Sequence, residues 1–152
     1  MTLTAGSVAA TDLTAIDAAT TKVVDGSAIT TITGTAAAIA AAATLDADTQ
    51  TTNIADDFAA TVGAGAVSAA DLSTISARTS GTVNATAATA INGTVNAVAT
   101  ALADTEITHT NTFTTTVTGA GAALELLAIN TFLLYTSPSP RDKRQTSMPS
   151  CS

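Results

Sequence analysis

Val8-Ala-Ala-Thr-Asp-Leu-Thr-Ala-Ile-Asp-Ala-Ala-Thr20 and Val67-Ser-Ala-Ala-Asp-Leu-Ser-Thr-Ile-Ser-Ala-Arg-Thr79 are one phrase written twice, 59 residues apart and without a gap. Asp12 matches Asp71, Leu13 matches Leu72, Ile16 matches Ile75 and Thr20 matches Thr79. The register runs on through Val24 and Val83, Ile32 and Ile91, Gly34 and Gly93, Thr35 and Thr94, to Ile39 and Val98. It then slips by three, because Gly63-Ala-Gly65-Ala matches Gly119-Ala-Gly121-Ala at an offset of 56. A third start comes next, in which Glu125-Leu-Leu-Ala-Ile129 mirrors Asp71-Leu-Ser-Thr-Ile75. Self-similarity at a period of this size is the mark of a tandem array. The chain therefore divides into 1–6, a first repeat 7–65, a second repeat 66–121, a cut third start 122–132, and a tail 133–152.

Within the phrase, Leu13 and Ile16 stand three apart among alanines, which predicts a helix over Val8–Thr20 with Ser7 as its N-cap. Ser68 and Asp71 have the spacing of a capping box, with Asp in place of Glu. Lys22–Thr33 is rich in Val, Ile and Thr and reads as a strand, although Ile29 and Ile32 have the spacing of a helical turn. Gly34 and Gly93 interrupt the pattern. Thr35–Leu45 and Thr94–Leu102 read as a second helix. Thr112–Thr118 is β-branched and reads as a strand; its counterpart Asp57–Val62 fits helix and strand equally. Ala123–Phe132 should form a helix docked on the second repeat. Strands alternating with helices imply a parallel sheet with helical crossovers. The expected fold is α/β, a tandem-repeat, solenoid-like stack of strands alternating with short helices.

Composition supports such an array. Residues 1–132 carry two basic residues, Lys22 and Arg78, against eleven acidic ones, about −9 in net charge. No basic patch exists to neutralise phosphate, which excludes nucleic acid as a partner, and acidic membrane surfaces are disfavoured for the same reason. The longest apolar stretches, 36–45 and 122–134, are too short for a membrane span of ~20 residues. The N-terminus shows no basic region followed by an apolar run, so no signal peptide is expected. Val, Ile, Leu and Phe make up 29 of the first 132 residues. A core that thin can be kept folded if each unit covers its neighbour.

The candidate chemistry is sparse. His109 is the lone imidazole. Asp104 and Glu106 lie near it in sequence, but no serine stands in a nucleophile elbow, so His109 reads as an exposed loop residue. Asp46-Ala-Asp48-Thr-Gln50 resembles the opening of a calcium loop, with Asp57 at its twelfth position. Thr51, however, occupies the place that needs Gly, and Asp57 is shorter than the bidentate Glu. Solvated acidic loops are the simpler reading, with weak calcium binding as the residual one. Gly63/Gly65 and Gly119/Gly121 suggest a dinucleotide turn, but Ser68 and Leu124 stand where the third glycine belongs, and no lysine follows to make a phosphate loop. Thr30-Thr-Ile-Thr33 and Thr112–Thr118 suggest an ice-binding hydroxyl surface, yet the strict short period is missing and Thr is a good strand former. Asn84-Ala-Thr86 and Asn92-Gly-Thr94 match the glycosylation acceptor pattern, which carries little information in a Thr-rich chain. No catalytic, cofactor-binding or metal residue is assigned, and no enzyme is expected.

Two resemblances complete the reading. Val67-Ser-Ala-Ala-Asp-Leu-Ser-Thr-Ile75, Val83-Asn-Ala-Thr86 and Ile32-Thr-Gly-Thr-Ala-Ala37 resemble tandem repeats of very large secreted or cell-surface proteins of marine cyanobacteria and related bacteria. The resemblance covers nearly all of residues 1–132. It implies an extracellular, structural or adhesive role, with the neighbouring repeats of the parent chain as partners and the external ligand open. A calcium- or carbohydrate-binding module is the alternative. Separately, Leu133-Leu-Tyr-Thr-Ser-Pro-Ser-Pro-Arg-Asp142 looks like the translation of a sequencing-library adapter, and Met148-Pro-Ser150 resembles its outer end. Cys151-Ser152 departs from that match. The tail is accordingly expected to be non-native and disordered. It holds all three prolines, the Cys and the Tyr, so the remainder has no disulfide or thiol chemistry.

Overall fold

The computed structural model describes residues 1–45, 52–121 and 123–132. Among them are ten short strands and five helices: β1 (Gly6–Ala9), α1 (Ala10–Ala19), β2 (Val24–Gly26), β3 (Ile29–Gly34), α2 (Ala36–Thr44), β4 (Thr52–Ile54), β5 (Ala59–Val62), β6 (Gly65–Ser68), α3 (Ala69–Ser76), β7 (Val83–Asn84), β8 (Ala88–Thr94), α4 (Val95–Ala103), β9 (Ile107–Thr108), β10 (Val117–Thr118) and α5 (Ala123–Phe132). The fold is mixed α/β. The strands form three open sheets, in the orders β1-β3-β5-β7-β9, β10-β8-β6 and β2-β4. Every pairing within them is parallel. Parallel neighbours cannot be joined by a tight hairpin, and here a helix lies in the path between them. Each helix in turn touches the next, α1 on α2, α2 on α3, α3 on α4 and α4 on α5.

The helices start for a common reason. Their first and fourth residues are apolar and lie on one face, as a spacing of three requires. Ala10 and Leu13, Ala36 and Ile39, Ala69 and Leu72, and Val95 and Val98 are all buried. A buried Leu, Ile or Val is worth about 1.5–3 kcal/mol relative to an exposed one, so these four pairs anchor the helices to one continuous core. Thr35 and Thr94 cap α2 and α4, each hydroxyl oxygen accepting from the N–H three residues on, Ala38 and Ala97, at 3.2 Å. Gly34 at the end of β3 and Gly93 one residue before the end of β8 stand where the chain passes close to an earlier helix. A Cβ on them would stand 3.4 Å from Ala10 Cβ and 3.3 Å from Ala69 Cβ respectively.

The elements of residues 6–44 recur in the same order at 65–103. So does their pairing. Gly6 pairs with Ile29, the register then shifts, and Ser7, Val8 and Ala9 pair with Thr31, Ile32 and Thr33. Gly65 pairs with Ala88, the register shifts at the same place, and Ala66, Val67 and Ser68 pair with Ala90, Ile91 and Asn92. Every residue number has moved by 59.

Several sequence expectations change at this level. Val8–Thr20 is not helical from its start: Ser7 and Val8 belong to β1, where they pair with β3. The α1 N-cap is therefore Ala9 rather than Ser7, with no side-chain cap bond. Ser68 does cap α3 by position, but its hydroxyl makes no capping bond, so the capping box does not form. Lys22–Thr33 splits into β2 and β3 because Asp25 turns the chain, its Oδ1 accepting from Ser27 N–H at 3.1 Å and from Ser27 Oγ at 2.6 Å. Thr112–Thr118 yields only β10 and an isolated bridge from Thr114 to Ala90. Asp57–Val62 resolves to the strand β5. The alternation of one helix with one strand gives way to two strands between successive helices, and to three, β4, β5 and β6, between α2 and α3. The helices begin at 10, 36, 69, 95 and 123, so the structural period is roughly half of the sequence period. Asp46–Gln50 of the calcium-loop reading and the tail 133–152 lie outside the described residues. No helix among the described residues is long and apolar enough to cross a membrane.

Candidate functional site: a polar pocket at the end of α3

Where α3 ends, the chain turns through Ala77–Gly81 toward β7 and leaves an open pocket of about 440 Å³, lined by Asp56, Ser76, Ala77, Arg78, Thr79, Ser80 and Glu106. Ser76 is the last residue of α3 and is 8% exposed. Its hydroxyl lies 2.6 Å from Asp104 Oδ2 and 3.3 Å from Glu106 Oε2. Asp104 stands just past α4 and fixes Glu106 by accepting its N–H on Oδ1 at 3.0 Å. Arg78 reaches back to the first copy, Nε donating to the Ala43 carbonyl at 3.1 Å. A cation suits that place, because the last carbonyls of α2 form the negative end of the helix. Ser80 N–H donates to the Asp56 carbonyl at 2.7 Å, and Thr79 Oγ1 donates to the Phe58 carbonyl. The pocket is thus a seam in which one turn is tied to the strand segment before it and the loop after it.

A nucleophilic serine needs a general base to take its proton. Ser76 is held by carboxylates, and His109 does not line the pocket. His109 is half-buried rather than exposed, with its ring edge-on to Phe113 at 5.5 Å between centroids and 86° between planes. Its Nδ1 lies 3.4 Å from the Thr110 carbonyl. The local alignment explains this position. Phe58 and Phe113, 55 apart, are both buried, which puts His109 at the place of the buried Ile54. The imidazole fills the rim of a core site.

The threonines have work inside the fold. Thr115 Oγ1 donates to the Ile91 carbonyl at 2.6 Å, Thr108 to Val83 at 3.2 Å, and Thr33 to Val8 at 3.4 Å. Each hydroxyl reaches a carbonyl on the strand segment before its own, 24 or 25 residues earlier. This use of the hydroxyls weakens the reading of an ice-binding surface. Asn84 Oδ1 accepts from Thr86 N–H and Oγ1, and Asn92 Oδ1 accepts from Thr116 N–H, so both asparagines of the acceptor patterns are structural. Gly63–Gly65 joins β5 to β6 and does not open a helix, as a dinucleotide turn would.

No group of three or more metal-ligating side chains occurs among the described residues. The juxtaposition of Asp56, Ser76, Asp104 and Glu106 was not evident from the sequence, since Ser76 lies 28 and 30 residues from its two acidic partners. The signal that could have found it is the shorter structural period. Helix starts aligned on Ala69 and Val95 put the end of α3 beside the loop after α4. No family model, curated protein or solved structure matches the chain.

Proposed function

We propose that the chain is a segment of a solenoid-like tandem array, with complete repeats at 7–65 and 66–121 and a third start at 122–132, from a large extracellular or cell-surface bacterial protein. It acts as a spacer or adhesive surface, and its mechanism is physical: stacked units hold an acidic, hydroxyl-rich face at a set distance. The observation that carries this reading is the recurrence of the β1–β3 register in β6–β8, with its irregularity at the same place. The seam at Ser76, Asp104, Glu106 and Arg78 supports it, because these side chains tie successive segments together. The array reading assigns them no catalysis and keeps calcium as a weak ligand only.

The test is length. The first repeat contributes three strands and the second two to the five-stranded sheet, and parallel strands lie about 4.7–4.9 Å apart. Adding a complete third and then a fourth repeat should therefore lengthen the particle by about 10 Å each time, as read from small-angle X-ray scattering. Thermal stability should rise with each addition, since every new interface contributes a nearest-neighbour term. Increments of several tens of ångströms would mean separate beads on a string and would overturn the array.

A further inference from the structure

Asn92-Gly93 is the one place in the chain where glycine follows asparagine. The pair is chemically labile. Glycine carries no Cβ to obstruct its backbone nitrogen, so that nitrogen can reach the asparagine Cγ and attack it. At Thr33-Gly34, the matching place in the first copy, the threonine side chain offers no carbonyl carbon to attack.

The fold holds both reacting groups through one residue. Thr116 N–H donates to Asn92 Oδ1 at 2.9 Å, and Gly93 N–H donates to the Thr116 carbonyl at 3.1 Å. This arrangement comes from a break in the parallel ladder. Thr114 N–H donates to the Thr89 carbonyl and Ile91 N–H to the Thr114 carbonyl, which is regular parallel pairing. Continued regularly, Thr116 N–H would donate to the Ile91 carbonyl. The Thr115 hydroxyl takes that carbonyl at 2.6 Å, and the Asn92 side chain accepts from Thr116 in its place. On its other side β8 pairs Asn92 with Ser68 of β6. Attack needs rotation about the Asn92 Cα–C bond, and each of these contacts opposes it.

We propose that Asn92-Gly93 is a deamidation site that residues 114–118 keep closed, and that it reacts when they leave β8. The Gly93 nitrogen bonds to Asn92 Cγ while the Cγ–Nδ2 bond breaks. The proton of the Gly93 N–H leaves with the amide as ammonia, and a succinimide ring remains. Water then adds to one of the ring carbonyl carbons, and the bond from that carbon to the Gly93 nitrogen breaks. Opening at Cγ gives aspartate. Opening at the main-chain carbon gives isoaspartate, with Cβ inserted into the backbone. Parallel strands bond through evenly spaced groups, so the inserted carbon puts Gly93 and Thr94 out of register with Val117 and Thr118. A brief opening between neighbouring segments thereby becomes permanent. The contact with 114–118 is the weaker side of β8: a single bridge at Thr114 and the two residues of β10, against a four-residue pairing with β6. Contacts of that size open well before a whole domain unfolds. The site does not depend on the role of the array.

The test is the rate of conversion in the full chain, held at mildly alkaline pH with and without denaturing urea. Peptide mapping by mass spectrometry quantifies aspartate and isoaspartate at position 92. The expected result is conversion in urea and conversion roughly tenfold slower, or slower still, in the native chain, because opening must come first. Equal rates would overturn the closed state, and an Asn92 that stays intact in urea would overturn the lability. Thr116→Pro removes the N–H that the Asn92 side chain accepts and should speed native conversion several-fold. An unchanged rate in that variant, with a circular dichroism spectrum like that of wild type, would overturn the clamp. Should Thr116→Pro unfold, wild type decides at urea concentrations below its unfolding transition. Conversion that rises in step with amide exchange of Gly93 supports the gate, and conversion that stays flat while Gly93 exchange rises overturns it.

Discussion

α1 and α3 carry nearly the same residues and sit in different surroundings. Leu13 and Leu72 are equally buried, because both point at the strands of their own segment. Ile16 and Ile75, three residues further on, are not equal: α3 packs on the preceding helix α2, whereas α1 is the first helix among the described residues. The turns after these helices diverge in the same way. Gly81 lies against the preceding segment so closely that a Cβ there would come 2.3 Å from the Phe58 carbonyl oxygen. Lys22, at the matching place, is exposed. Such differences separate two kinds of constraint on a repeated sequence. One kind is met inside each unit and recurs unchanged; the other is imposed by the neighbour and changes where the neighbour does.

Truncating the two isoleucines should break the symmetry most. Ile75→Ala leaves a cavity in a packed site and should cost about 2–5 kcal/mol. Ile16→Ala removes the same atoms from a half-solvated site and should cost roughly half as much, because apolar stabilisation scales with the area removed from water. Urea unfolding midpoints of the two variants measure the difference, and equal losses would show that α1 is covered as fully as α3.

The turn is the next test. Gly81→Ala forces its Cβ into backbone, which cannot give way as a side chain can, and should cost about 1–3 kcal/mol. Lys22→Ala should stay within about ±0.5 kcal/mol, the usual range for a surface change away from packed features. A neutral Gly81→Ala would mean that the turn is not clamped against Phe58.

The smallest effect concerns acid. Asp25 and Asn84 hold the same turn, accepting from Ser27 and Thr86 respectively. The hydroxyl and the N–H of Ser27 hold the Asp25 carboxyl below its ordinary range, because they bond the ionised form. A depressed folded value means that the turn gains stability above the unfolded pKa and loses it as pH falls through the folded one. Asn84 does not titrate. Acidification should therefore loosen the β2 turn and leave the β7 turn unchanged, as read from amide exchange of Ser27 and Thr86. Ser27→Ala should move the Asp25 titration upward in carboxyl NMR.

The helices and their order were legible because their cause is local. An apolar pair three apart among alanines makes one sticky face wherever it occurs, and Thr35 and Thr94 cap with atoms from the same turn. The strands were legible only in outline. β1 looks like the start of a helix until β3 lies beside it, and Ser7 could be a cap only if that pairing is ignored. The half-length period was present in Ala10/Leu13, Ala36/Ile39, Ala69/Leu72 and Val95/Val98, but side-chain identity drifts between half-units while size and burial do not. The pocket escaped for a related reason. Apart from Ser76 at the end of α3, its members come from loops whose lengths, not their letters, bring them together.

What the sequence determined by itself is the 59-residue repetition, the acidic balance without a basic patch, and the face each helix buries, since all three depend on residue type and spacing along the chain. Tertiary structure alone decided that Ile75 is buried where its match Ile16 is only half-buried, where Ser76 meets Asp104 and Glu106, and why a histidine can stand where its counterpart is isoleucine. Those outcomes depend on the segment alongside, about 25 residues away in the chain and one strand away in space. There a hydrogen bond or a van der Waals contact depends on distance and not on sequence separation.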